Sequence, residues 1–235
     1  MKNLLILVLL LTSAQSFTKE FVSLNIEGWT VQVEKTEYEN EELRESLHEF
    51  LESSFKKIKE ILPEDRISEL QKINLWVSSE NYPFRSGEKS SIVYHIDPNW
   101  LEANKLNRKY APGVHMINPR VYLLEEKPYQ TQPLVLLHEF AHGYLHQCLN
   151  GSHPKLDSAY AYAQASKNYE KVSRVNQSEK VRAYALMNEY EYFSELTEAY
   201  FGKNDYYPFD KEELKTSDPI GLGMVKALWS DKCTI

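Results

Sequence analysis

The sequence predicts an α+β fold, a single domain with a small mixed sheet and several helices, and three observations carry that reading. Phe21–Lys35, Ile73–Val77 and Ile92–Ile96 have the alternation or branched apolar runs of short strands. Asn40–Ile61 repeats apolar residues at three- and four-residue steps. Thr131–Gln147, TQPLVLLHEFAHGYLHQ, is apolar almost all round yet holds His138, Glu139 and His142. At 235 residues the chain can bury a sizeable core, and no repeat, low-complexity tract or long flexible linker marks an internal boundary.

Residues 1–16, MKNLLILVLLLTSAQS, have a lysine, an unbroken apolar run from Leu4 to Leu11, and small residues at Ala14 and Ser16. That is the pattern of a secretory signal peptide, too short for a comfortable membrane span, and it leaves 17–235 as the expected mature domain. Alternation on both sides of Gly28 predicts two strands or a hairpin over Phe21–Lys35. The apolar stripe Leu43, Leu47, Phe50, Leu51, Phe55, Ile58, Ile61 predicts an amphipathic helix stopped at Pro63. The two short strands that follow are separated by a polar loop containing Pro83 and Gly87, and Asp97-Pro98-Asn99 marks a turn. Val114–Leu124 reads as extended, with Pro119 assigning it to a sheet edge, where unpaired backbone groups make it a candidate substrate strand. Beyond the histidine-bearing helix, Leu156–Val172, Asn188–Gly202, a short segment opened by Asp210 and Glu213, and Pro219–Trp229 are expected helices.

The formal net charge is −7, and no basic cluster interrupts it, so a nucleic-acid partner is not expected. In an exported chain the two cysteines, Cys148 and Cys233, suggest a disulfide clipping the tail to the back of the histidine-bearing helix; two free buried thiols are the alternative. Asn150-Gly-Ser and Asn176-Gln-Ser match the glycosylation acceptor pattern.

Within that helix His138, Glu139 and His142 form H-E-x-x-H. Residues four apart lie about 40° apart around a helix and one turn apart along it, so both imidazoles can meet one zinc ion. Glu139 can then take a proton from a zinc-bound water without occupying the metal. Catalytic zinc takes three protein ligands, so a third is needed. His146 would sit about 12 Å along the axis from His138, too far to share an ion. Asn188–Gly202, NEYEYFSELTEAYFG, is the better source: Asn188 is an N-cap with Glu191 at the third helical position, and Glu191, Glu195 and Glu198 share one stripe. Such a stripe on an otherwise aromatic helix needs a positive counterpart. Spacing alone leaves Glu191 and Glu195 equal candidates.

H-E-F-A-H, followed some fifty residues on by a tyrosine and then E-Y-F-S-E, resembles the zinc peptidase domain of anthrax lethal factor and the secreted metallopeptidases similar to it, whose pattern is H-E-F-G-H and Y-x6-E-F-F-A-E. The match covers about thirty residues in two segments. The resemblance implies a zincin-like metallopeptidase in which His138, His142 and Glu191 hold one Zn2+ and Glu139 is the general base. It further implies that Tyr184 stabilises the oxyanion and that Glu195 orients a ligand histidine, and it assigns nothing to Glu198. Without it, Tyr184 reads as core packing. The expected function is a secreted zinc endopeptidase acting as a monomer on peptide or protein substrates, with no membrane contact beyond the leader. A zinc-containing binding module without turnover and a cell-wall peptide hydrolase are the alternatives.

Overall fold

In the computed structural model, which describes residues 19–85 and 87–233, the alternating stretch folds into a hairpin of β1 (Phe21–Ile26) and β2 (Trp29–Glu34). The two pair antiparallel, and the turn residues Glu27 and Gly28 both take positive φ, 54° and 98°, as tight hairpin loops require. The expected leader, 1–16, lies outside the described residues.

A single turn, α1 (Lys35–Tyr38), leads into α2 (Glu41–Ile61), whose first turn is capped by the Asn40 side chain accepting from the Leu43 N–H. The predicted stripe is the buried face of α2 from Leu43 to Ile58, with Ile61 only partly buried, and Phe55 stacks on Trp29 of β2 with centroids 4.4 Å apart. Then come α3 (Glu64–Leu70), β3 (Asn74–Ser78), β4 (Ser91–His95), α4 (Pro98–Ala103) and β5 (Gly113–Ile117). The Asp97-Pro98-Asn99 turn is in fact the capped start of α4, with the Asp97 carboxylate accepting from the Asn99 N–H. The remaining helices are α5 (Val135–Cys148), α6 (Pro154–Ser166), α7 (Glu189–Phe201), α8 (Lys211–Ser217) and α9 (Pro219–Leu228). Helix α6 stops short of the predicted Val172 because Lys167 turns left-handed at φ 59°.

The five strands form one mixed sheet in the order β1-β2-β3-β5-β4. The pairs β2–β3 and β3–β5 are parallel, and β4 closes the far side antiparallel to β5, with Tyr94 opposite Val114. This corrects the edge assignment drawn from Pro119. The strand ends at Ile117, Asn118 takes φ 56°, and Pro119 falls beyond the ladder, where its missing N–H costs nothing. Residues 113–117 are therefore interior and wholly buried, 121–126 coil into a wide helical turn, and the edge beside α5 is β4.

Val31, Val33, Leu75, Val77, Val114 and Met116 form the sheet's contribution to the main core, shared with α2, α5 and the C-terminal helices. A smaller cluster built on Leu101, Leu106 and Tyr110 packs with Phe21 and Trp76. Cys148, the last residue of α5, is disulfide-bonded to Cys233, so the tail is clipped to the site helix. Among the described residues no helix is long and apolar enough to cross a membrane.

Candidate metal centre

Helix α5 is buried from Val135 to Leu145, which takes His138, Glu139 and His142 out of water along with the apolar residues. Gly143 permits this depth: a Cβ there would stand 2.6 Å from Ile73 Cδ1 and 3.1 Å from Tyr94 Cε2. Helix α7 lies against α5. The Asn188 side chain accepts from the Glu191 N–H at 2.9 Å, fixing Glu191 in the first turn of α7.

The result is a convergence on one oxygen. Glu191 Oε2 lies 3.1 Å from His138 Nε2 and 3.2 Å from His142 Nε2. The other face of His138 meets a second carboxylate, with Nδ1 2.8 Å from Glu198 Oε1. Glu195 Oε1 stands 3.9 Å from the same nitrogen, beyond hydrogen-bond reach, and its Oε2 accepts from Asn204. Glu198, which the motif left without a role, is thus the carboxylate within hydrogen-bond distance of His138 Nδ1, and Glu195 is not. Gln132 also donates to Glu198 Oε1, at 3.0 Å, while Glu198 Oε2 is buried without a partner among the described residues.

Glu139 is held differently. Its Oε2 accepts from the Tyr94 backbone N–H of β4 at 2.6 Å, so the carboxylate bridges the site helix to the edge strand. Tyr184, on the turn 184–186, donates to Glu191 Oε1 at 3.2 Å and accepts from Arg85 Nη2 at 3.1 Å. His146 faces away from this group and meets the Tyr94 hydroxyl at 2.9 Å.

Electrostatics follow from crowding acids and imidazoles in a buried place. Burial opposes ionisation of Glu191, but hydrogen bonds from both histidines outweigh it and hold its carboxyl below the usual range. Burial, opposed by the His138 charge, pushes Glu139 up to about 8. Burial also raises Glu195 and Glu198, whose carboxylates lie next to one another. Burial works against the His138 cation too, yet hydrogen bonds to Glu191 and Glu198 lift its pKa well above the ordinary value, while burial lowers His142.

The donor set fits a metal ion. With Nδ1–H given to Glu198, the Nε2 lone pair of His138 is aimed at the point where His142 Nε2 and Glu191 Oε2 also arrive. Either a proton on His138 or a cation between the three must balance the carboxylates. His138, Glu139 and His142 bring possible ligand atoms within 4.8 Å of one another, as do His138, Glu195 and Glu198, so these buried groups can hold a metal ion.

The centre opens on a cleft of about 750 Å³. One wall is the start and middle of β4, and Arg85, Arg174 and Tyr206 also line it. Sequence reasoning singled out neither arginine, because no motif surrounds them. Glu198 was visible only as a member of the acidic stripe. Compared with known proteins, the chain matches no family model, no curated protein and no solved structure.

Proposed function

We propose that the protein is an exported zinc endopeptidase of the glutamate-ligand zincin type. The observation that carries this reading is the meeting of His138 Nε2, His142 Nε2 and Glu191 Oε2 in an open cleft, with the Glu139 carboxylate beside them. Bound Zn2+ would supply a Lewis acid that polarises a carbonyl and acidifies water. His138, His142 and Glu191 would hold it. Glu139, tethered by the Tyr94 N–H through Oε2, has no partner on Oε1 among the described residues, and that oxygen would take the proton of the attacking water and pass it to the leaving amine. That tether also separates Glu139 from the ligands, since Glu191 is the carboxylate that both Nε2 atoms reach.

Tyr184, whose hydroxyl bonds the Glu191 carboxylate, would donate its phenolic hydrogen to the oxyanion that develops on the scissile carbonyl, exchanging its long bond to Glu191 for a stronger one. The substrate's backbone would lie along β4. Because the Tyr94 N–H points to Glu139, that residue's backbone faces away from β5, and antiparallel alternation turns Ile92 the same way. Ile92 N–H and C=O and Tyr94 C=O are then the groups an added peptide strand would pair with. Export is supported by the leader-like residues 1–16 and the Cys148–Cys233 disulfide.

Metal analysis joined to mass-spectrometric peptide profiling tests the proposal with wild type and Glu139→Gln. Glu139→Gln is expected to retain about one zinc per chain and to lose cleavage by about 100-fold or more. A variant that cleaves at the native rate refutes the base assignment. Zinc without cleavage of any peptide by wild type leaves a binding module.

A further inference from the structure

We propose that Arg174 and Arg85 make one wall of the cleft a carboxylate reader, so that the bound peptide presents a carboxylate on the Tyr184 side. The inference rests on reading the cleft as a peptide site. The group recognised is a C-terminal carboxylate or an acidic side chain.

Arg174 is anchored from behind. Its backbone forms an antiparallel bridge with Tyr206, closed by Val175 N–H to Asp205 O at 2.8 Å and Tyr207 N–H to Ser173 O at 2.9 Å. Its Nε donates to Asp205 Oδ2 at 3.0 Å, and the guanidinium lies 4.5 Å over the Tyr206 ring. Stacking and the Nε bond use one face and one donor of the fork. Among the described residues the two Nη groups have no partner, and they are the donors a carboxylate takes side by side. Asp205 is buried and acts as a strut.

Arg85 reaches the cleft from a different element, the loop between β3 and β4. Its Nη2 reaches the Tyr184 hydroxyl and Met187 Sδ, 3.1 and 3.0 Å away, and its guanidinium lies 5.1 Å over the Tyr184 ring. Among the described residues no carboxylate oxygen comes within 4.0 Å of it, so its partners are a phenol and a thioether and its charge is unpaired. Glu88 lines the same cleft without pairing with it. Both guanidiniums line the same cleft, as do the two rings they lie over, Tyr184 and Tyr206. A cationic substrate group would be drawn instead to Glu88 and Glu126, of which Glu126 already accepts from the Ser90 hydroxyl.

The test measures binding apart from turnover. Zinc-loaded full-length Glu139→Gln protein is titrated into fluorescein-labelled alanine-phenylalanine hexapeptides, and anisotropy is read at low salt. One arm compares the free C-terminal acid with its amide. The other scans Glu, Gln and Lys through each position of the amide. A carboxylate form is expected to bind about tenfold more tightly than its uncharged counterpart in at least one arm, equivalent to about 1.4 kcal/mol. The arm that responds identifies the source of the carboxylate. In Arg174→Gln and in Arg85→Gln the ratio is expected to fall to about one, with Arg174→Lys between. Should Arg174→Gln fail to fold, Arg85→Gln on its exposed loop decides the matter. Equal binding of charged and uncharged forms, preference for lysine, discrimination that survives both substitutions, or no binding at all overturns the proposal. Cleavage of the same peptides by wild type is scored separately. Arginine-dependent discrimination without cleavage refutes the peptidase reading alone, and cleavage without discrimination refutes the carboxylate wall alone.

Discussion

Replacing Glu198 by glutamine is expected to weaken zinc binding by about 10- to 100-fold, whereas the same change at Glu195 leaves it within about twofold. His138 can offer Nε2 to a metal only while Nδ1 keeps its proton, and that proton needs an acceptor. Glu198 Oε1 is 2.8 Å from Nδ1 and Glu195 Oε1 is 3.9 Å away, so only Glu198 accepts it. A carboxylate acceptor makes the imidazole a better electron donor; an amide keeps the contact and removes the charge. Exchanging a charge-assisted hydrogen bond for a neutral one loses about 1–1.5 kcal/mol, about 5- to 13-fold, which reaches the bottom of the expected range. The fold is expected to survive. Glutamine at 198 places an NH2 where Oε2 now has no partner, at a cost of about 1–3 kcal/mol, and it also relieves the repulsion among buried Glu198, Glu195 and Asp205. The assay is competition for Zn2+ against a chromophoric chelator, with circular dichroism recording the fold. If Glu195→Gln weakens zinc as much as Glu198→Gln does, or if Glu198→Gln stays within about twofold of wild type, the assignment of the His138 partner is wrong.

Three further outcomes follow from the packing around the centre. Reducing the Cys148–Cys233 disulfide, or replacing both cysteines by serine, reopens a loop of 85 residues and is expected to cost about 4 kcal/mol in urea unfolding; no change would mean the tail is not clipped to α5 in solution. Burial holds His95 down to about 4, so between the ordinary histidine value of 6.5 and about 4 the unfolded chain binds a proton that the folded one does not. Its contribution is complete above about 6.5 and is lost as pH falls through that window, by about 3 kcal/mol; NMR titration of the ring is the check, and a pKa near 6 contradicts the account. Gly143→Ala gains about 1 kcal/mol of helix propensity but presses on Ile73 and Tyr94, at about 1–3 kcal/mol, so thermal unfolding is expected a few degrees lower; an unchanged or higher midpoint refutes the close approach of α5 to the sheet.

What the sequence revealed was what short-range chemistry decides. Asn40, Asn188 and Asp210 each cap a helix within one residue of the predicted start, because a cap is settled by a side chain and an N–H three residues away. The hairpin around Gly28 was legible for the same reason. Strand order was not, since the placement of β4 outside β5 depends on which strands meet across the sheet. Pro119 would restrict a strand that contained it, but it lies beyond the end of β5. Arg85 and Arg174 were illegible because their neighbours, Tyr184 and Tyr206, lie far along the chain in a different register of turns and loops.

The acidic stripe of α7 shows where sequence geometry could have gone further. A step of four residues turns a helix by about 40° past a full turn, whereas a step of seven falls short of two turns by only about 20°. Glu198 therefore stands more nearly in line with Glu191 than Glu195 does. An imidazole lying along that line has Nε2 toward one glutamate and Nδ1 toward the other, which is how His138 sits, 3.1 Å from Glu191 and 2.8 Å from Glu198. Glu195, turned to the other side of Glu191, is left to Asn204 and to a place beside Glu198 where both carboxylates raise each other's cost of burial. The spacing that selects the partner of His138 is thus the seven-residue one, and a peptidase motif written with only its first four-residue interval does not contain it.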